Sequence, residues 1–408
     1  MQKKLIALAV AGLVSGGAFA QSSNVTIYGR ANLAFDNYSA TGSFGGAATD
    51  FQGRNRVADS SSRIGFKGIE DLGNGLNLNW QCESQVNMNQ GGTNTMANVV
   101  GNSSVGLCGR QSYVGLSGNW GEFRLGRQEV YWTNGRVNDI GANELVTASP
   151  ISTTGGGLVA APYNRTSNVL SYFTPSVSGF QGAVFYVAGA EAAVAGASAN
   201  GKGYSLQLNY NNGPIAVKYD WAKSYAQDTL TTGLDPATGV PTVAGSKLAL
   251  AYFYQGDSKV GLVVAQLTAN SVAGNAVNTI AGNNLKQSTW DFNWEHYWGS
   301  GNIQSIVNYG KIGNASLAAG NGSISGVALA FNASQTGATA WTVGGKYFFS
   351  KRTAVYLETE KITNGTQQWA DYAAGGYSAG IGGPAGGIGA ASRGADPKIT
   401  AIGVIHNF

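Results

Sequence analysis

The sequence predicts a transmembrane antiparallel β-barrel of sixteen strands, with short turns at one end and long loops at the other. Three observations predict it. Polarity switches with period two in many separate segments, each with a polar face as long as its apolar one. Short turn-rich links alternate with long segments along the whole chain. Charged residues make up 11% of the 408, against roughly 25% in an ordinary soluble domain, and 61 residues are glycine. After residue 20 no apolar run is long enough to cross a membrane as a helix. So much glycine beside abundant Tyr, Thr, Val and Asn suits strands and turns better than helical bundles.

The chain opens on an address. Lys3 and Lys4 precede an apolar core from Leu5 to Val14, which ends at Ala18-Phe19-Ala20. That is the pattern of a secretory signal peptide, residues 1–20, with cleavage expected before Gln21 and a single barrel domain over 21–408. Loss of the two lysines takes the formal charge from +4 to +2. Neither value comes with a basic block, so no nucleic-acid partner is expected. Cys82 and Cys108 are the only cysteines of an exported chain, which reads as one disulfide or, alternatively, two buried thiols.

The strands justify themselves in order. Val25, Ile27, Gly29, Ala31, Leu33 and Phe35 share one face of the first, with Tyr28, Arg30 and Asp36 on the other. On the second, Ile64 and Phe66 lie opposite Arg63 and Lys67; on the third, Leu76, Leu78, Trp80 and Cys82 lie opposite Asn77, Asn79, Gln81 and Glu83. Arg110 opens the fourth strand and Arg165 the sixth, with Arg124 on the polar parity between them. The alternation returns at Tyr204–Tyr210, Ile215–Trp221, Leu248–Tyr254, Trp290–Glu295 and Trp341–Phe349. Seven short turns separate these strands, among them 71–75, 211–214, 298–302 and 350–352. Eight long segments fall at about 37–60, 86–107, 128–164, 189–202, 223–245, 269–285, 313–336 and 363–397.

Seven turns and eight loops require sixteen strands with both chain ends on the short-turn, periplasmic side. Sixteen strands of ~10 residues and seven turns of ~4 use roughly 190 residues, leaving about 25 for each loop, in agreement with the segments observed. The apolar faces end in aromatics, such as Trp221, Tyr254, Trp298 and Phe349, where a membrane girdle would lie. Ile402, Val404, His406 and Phe408 share a parity, so the chain ends on an outward aromatic at the rim.

Several fragments, in order, resemble the Gram-negative general porins of the β-proteobacterial branch. They are Ser23–Gly29, Ser62–Gly68 running into Glu70–Leu76, Gly109–Gln111 before Tyr113–Leu116, Trp120–Gln128, and the closing His406-Asn407-Phe408. The resemblance implies an outer-membrane homotrimer, each barrel with its own pore and its third loop folded inward. It also matches Arg63, Arg110 and Arg165 to a basic cluster facing that loop. The Gly-rich eighth loop departs from the pattern, and the cysteine pair is not implied by it.

A passive pore needs a polar lining, a constriction and fixed charges that bias ions. Arg63, Arg110, Arg165 and Glu83 are the candidates on the strands, with Asp139 and Glu144 offered by the third long segment behind Tyr131 and Trp132. Arg30, Lys67 and Arg124 are further candidates for the lining. Each arginine could instead anchor a loop or sit at the rim. The expected function is passive diffusion of small hydrophilic solutes and ions with an anion preference, in contact with outer-membrane lipid and lipopolysaccharide. The competing reading is an adhesin or surface scaffold with a blocked lumen. No enzyme, metal or cofactor is expected. His296 and His406 lie on different strands with outward parity, and the glycines of 375–394 lack phosphate-loop spacing and context.

Overall fold

In the computed structural model, the described residues are 24–59, 62–86, 88–89, 107–131, 165–188, 202–225, 242–270, 284–317, 333–368, 370 and 393–408. The expected signal peptide, and Asp139 and Glu144, lie outside them. Eighteen strand segments form one antiparallel sheet. They are β1 (Asn24–Thr41), β2 (Phe51–Asp59), β3 (Arg63–Gly73), β4 (Leu76–Gln85), β5 (Ser112–Gly118), β6 (Gly121–Glu129), β7 (Arg165–Phe173), β8 (Phe180–Val187) and β9 (Gly203–Asn212). The series continues with β10 (Ile215–Tyr225), β11 (Thr242–Phe253), β12 (Lys259–Asn270), β13 (Asn284–Trp298), β14 (Ile303–Ile312), β15 (Ser316–Leu317), β16 (Ala338–Phe348), β17 (Thr353–Asn364) and β18 (Asp396–Asn407).

Sixteen strands make the wall. β2 pairs with the second half of β1 and β3 with its first half, so the two are one strand interrupted between Asp59 and Arg63. β15 pairs with Leu285 and Lys286 of β13 beyond the end of β14, and continues it. β1 also pairs with β18, from Arg30↔Asn407 to Thr41↔Asp396, which closes the barrel. At the seam the Gly29 amide donates to the Phe408 carbonyl (3.0 Å) and the Phe408 amide to the Gly29 carbonyl (3.1 Å). The Phe408 ring covers the space a side chain at Gly29 would need.

The period-two faces sort as the residues dictate. Leu248, Leu250, Leu262, Val264, Phe292, Val343, Ile402 and Val404 are exposed on the outer surface, while their neighbours Ala249, Ala251, Val263, Asn293 and Ala401 are buried inside. Trp298, Phe349, and Phe180 tilted against Tyr210 (4.4 Å between centroids) edge the short-turn end. Trp221, Trp341, and Trp290 against Tyr309 (5.6 Å) edge the other. His296 and His406 lie in the outer surface, bonded to Tyr254 (3.1 Å) and Thr353 (2.9 Å) respectively. At the turn of residues 71–75, Gly73, Asn74 and Gly75 all have positive φ (85°, 51° and 76°), and Asp71 Oδ1 accepts from the Gly73 amide (2.8 Å).

One expectation is corrected. The segment 37–60, read as a long loop, is mostly wall: β1 runs to Thr41 and β2 begins at Phe51, leaving a connection of 42–50. A bidentate pair, Arg56 Nε and Nη2 on Asp36 Oδ1 and Oδ2 (2.9 and 2.8 Å), holds β2 to β1 inside the barrel. Arg56 also lies over the Tyr38 ring, 4.8 Å from its centroid. Charges on the inner face gave β2 the composition of a loop.

The two faces make opposite demands on a substituted charge. Leu250→Lys, on the outer face midway between the aromatic edges, should cost about 2–4 kcal/mol. Gln207→Lys, on the inner face of β9, should cost far less. Equilibrium refolding into lipid vesicles from denaturant measures both.

Candidate pore constriction

Glu83 is the hub of the site. Register places Tyr28 of β1, Gly65 of β3 and Glu83 of β4 in one row on the inner face. Because Gly65 has no side chain, the Tyr28 ring lies across it. From there the Tyr28 hydroxyl donates to Glu83 Oε2 (3.1 Å) and accepts from Gln81 Nε2 (2.7 Å). Arg110 Nε meets Glu83 Oε1 at 2.5 Å, and Arg63 Nε stands 3.8 Å from Oε2. Arg110 Nη1 also donates to Gln85 Oε1 (3.4 Å). Arg30 is the register partner of Arg63 and faces the same way.

Arg110 precedes β5, yet it is fixed. Its amide donates to the Glu83 carbonyl (2.8 Å), and the Glu83 amide to the Gln111 carbonyl (3.1 Å). The Cys108 amide donates to Ser84 Oγ (2.8 Å). Cys82 and Cys108 are joined as a disulfide, their Cα atoms 4.6 Å apart. Cys108 has a φ of 66°, outside strand geometry, so counting parity from β5 could not decide whether its side chain reaches Cys82.

A second group adjoins the first. Arg165 Nη2 donates to Glu129 Oε1 (2.6 Å), whose Oε2 accepts from Gln111 Nε2 (3.3 Å). Arg127 donates to the Gly109 carbonyl (2.8 Å) and to Ser167 Oγ (2.9 Å). Arg63 and Arg165 both lie within electrostatic reach of Arg110. The wall therefore brings Arg63, Arg110 and Arg165 together around two carboxylates, Glu83 and Glu129, with Arg127 beside Arg165.

The other sequence candidates fare differently. Lys67 lies one inner-face position toward the short turns, its Nζ 5.3 Å from the Tyr28 ring centroid. Arg124 is clamped between the Tyr113 and Phe173 rings (4.4 Å to each centroid) and paired with Glu122 (2.7 Å), which makes it a packing element of the lower wall. Sequence reasoning did not single out Tyr28 and Gln85, or assign Arg127 and Glu129 to the cluster. Two irregularities hid the latter pair: a register shift between Gly126, at φ 143°, and Gln128, and a positive φ of 60° at Asn168 on the facing strand.

The entry to the third long segment is also described. Val130 is buried with Val169, Ala183, Phe185 and Val187 inside the barrel. Tyr131 lies beneath Lys247 of β11, whose Nζ donates to the Tyr131 carbonyl (3.2 Å) and stands 4.5 Å from its ring centroid. β6 and β11 are not neighbours in the sheet, so the chain leaves β6 toward the lumen.

The Gram-negative porin family model matches residues 7–367. The chain belongs to the Gram-negative porin family. As a porin it is an outer-membrane, multi-pass β-barrel rather than an enzyme. It is 31% identical over 229 residues to the major outer membrane protein P.IB of Neisseria lactamica, covering 54% of this chain and 58% of that one. To the protein of the same name from Neisseria gonorrhoeae it is 31% identical over 252 residues, covering 61% and 65%. The matched stretch thus spans about three fifths of these relatives. The anion-selective porin from Comamonas acidovorans superposes with a TM-score of 0.67 at 20% identity, over 95% of this chain and 100% of that one. The trimer form of OmpT from Vibrio cholerae gives 0.61 at 14%, over 95% and 99%. These structures share the fold. The adhesin alternative finds no support among them.

Two outcomes test the cluster. Glu83→Gln leaves Arg110 buried without its carboxylate and should cost on the order of 3 kcal/mol, read as a lower denaturant midpoint. Non-reducing mass spectrometry of the purified chain should return a mass two hydrogens below the dithiol. Closing a segment with a sequence separation of 26 should add roughly 3 kcal/mol through the denatured state, lost on reduction.

Proposed function

We propose that this porin is a general diffusion channel for small hydrophilic solutes and ions, with a weak to moderate preference for anions. The observation that carries the preference is the excess of guanidinium over carboxylate in one patch of the inner wall: Arg63, Arg110 and Arg165 against Glu83 and Glu129. Fixed charge at a narrow point between low-dielectric walls focuses the field and raises the local concentration of the opposite ion. Charges on the outer loops are screened within a Debye length of about 8 Å at physiological salt, so the formal charge of the whole chain decides little.

The third loop narrows the lumen in this reading, with Asp139 and Glu144 facing the arginines. The inward path at Val130 and Tyr131 supports it. The channel is exported through a signal peptide at 1–20, assembles as a homotrimer and contacts lipopolysaccharide in the outer leaflet. Its resemblance to a porin described as anion-selective agrees with the preference.

Reversal potential across a salt gradient in planar bilayers tests the proposal. The unmodified channel should open in steps, mostly in threes, with anion-side reversal that shrinks as salt rises. Arg110→Gln or Arg165→Gln should move the reversal potential toward the cation side. Arg352→Gln, at a short turn, should leave it unchanged; Arg393 of the eighth long segment is no substitute control, because it is buried over Phe44. Equal shifts at Arg110 and Arg352, or cation preference in the unmodified channel, would refute the assignment.

A further inference from the structure

On the outer surface of β10–β13, Lys223, Ala244, Thr268 and Lys286 are successive register partners. Three strand spacings separate the two lysines, roughly 14 Å. The next outward row toward the membrane is Trp221, Ser246, Gln266 and Ser288. Below it comes Tyr219, Leu248, Val264 and Trp290, with Lys311 of β14 opposite Trp290. A groove of about 580 Å³ runs over the lower two rows.

The layering is chemical as well as geometric. An ammonium tier stands above a hydroxyl and amide tier, which stands above the apolar band at its aromatic edge. Gln266 donates to Ser288 at only 3.4 Å and both are exposed, so the middle tier keeps bonding capacity for a ligand. Lys286 and Lys311 are exposed too. Every carboxylate of these five strands points the other way: Asp220, Asp291 and Glu295 are buried on the inner face. Among the described residues, the outer surface of these strands is cationic and carries no carboxylate.

We propose that this groove is a docking site for a phosphorylated glycolipid of the outer leaflet. Its phosphates meet Lys286 and Lys311, with Lys223 at the far edge; its sugar hydroxyls meet Ser246, Gln266 and Ser288; its first acyl methylenes lie on Leu248 and Val264. Cations spread around a polar floor fit a headgroup with more than one phosphate and a saccharide, whereas a single-phosphate glycerolipid would leave most of the tier unused. The site rests on the outer-membrane reading with the long loops outward, and makes no use of the pore arginines.

Native mass spectrometry of the full chain, refolded without lipid, tests it against bisphosphorylated lipid A, the same lipid without phosphates, and phosphatidylglycerol. The unmodified protein should hold the bisphosphorylated lipid about tenfold more than either comparison lipid. Lys286→Gln with Lys311→Gln should reduce it to their level. The corresponding Arg double variant should retain it, and Ser288→Trp, which fills the groove, should lose it. Lys351→Gln, at a short turn, should behave as the unmodified chain. Equal retention by the Gln double variant or by Ser288→Trp, equal occupancy by either comparison lipid, or no retained lipid at all would overturn the site. Conductance recorded on the same preparations judges the diffusion reading separately, because the Gln double variant should conduct normally.

Discussion

Lipid offers no hydrogen-bond partner to a peptide group, and this one constraint governs the molecule. Every strand must have two neighbours, which forces β1 onto β18 and makes the last residue of the chain part of the wall. It also explains the repair at the interruption between β2 and β3. Ser62 lies between β2 and β3, where a gap would leave β1 and β4 unpaired. Its hydroxyl accepts from the Asn32 amide (2.9 Å), its carbonyl from the Val86 amide (2.9 Å), and its own amide donates to Asp59 (2.9 Å). The ladder is carried across by side chains and backbone together.

Closure sorts the residues into two solvents. On the outer face the apolar side chains need no partner. On the inner face charges lie close together and must be matched locally, as in Arg56 with Asp36, Lys259 with Glu295 and Arg165 with Glu129. The match is incomplete around Glu83, where one carboxylate serves two arginines. Guanidinium groups, rigid and forked, form the cluster around Glu83 and Glu129, while ammonium groups occur on both faces, Lys247 and Lys259 inside and Lys286 and Lys311 on the outer surface. Guanidinium holds a fixed geometry through several bonds, whereas ammonium on a long stem adapts to a mobile headgroup.

The sequence was legible wherever the backbone keeps its two-residue period. The faces of β9, β10, β11, β13 and β16, the aromatic edges, the outward histidines and the closing aromatic all followed from counting alternate positions. Legibility failed where that count breaks. β2 carries Arg54, Arg56 and Asp59, so its polar composition concealed a strand. Arg127 and Glu129 escaped because the shift beyond Gly126 and the positive φ of Asn168 change which residues of β7 they meet. Cys108 reaches Cys82 through a left-handed φ that no parity count includes. In each case side-chain identity was informative, and what was missing was the local backbone.

Those same irregularities build the charged cluster around Glu83 and Glu129. A regular strand delivers inward side chains only at every second residue, about 6.6 Å apart along its axis, too sparse to gather three guanidinium groups around two carboxylates. The approach to β5 instead pins Arg110 and Gln111 to the backbone of Glu83, with the disulfide and Ser84 anchoring Cys108 just behind. The shift in β6 brings Arg127 to the carbonyl of Gly109, while Glu129 joins Arg165 to Gln111. Each irregular segment is thus bonded to the next, and the cluster is held by main chain and covalent links as much as by ion pairs. A charge so fixed keeps its place when salt screens its partners, which is the condition for a lasting bias on passing ions.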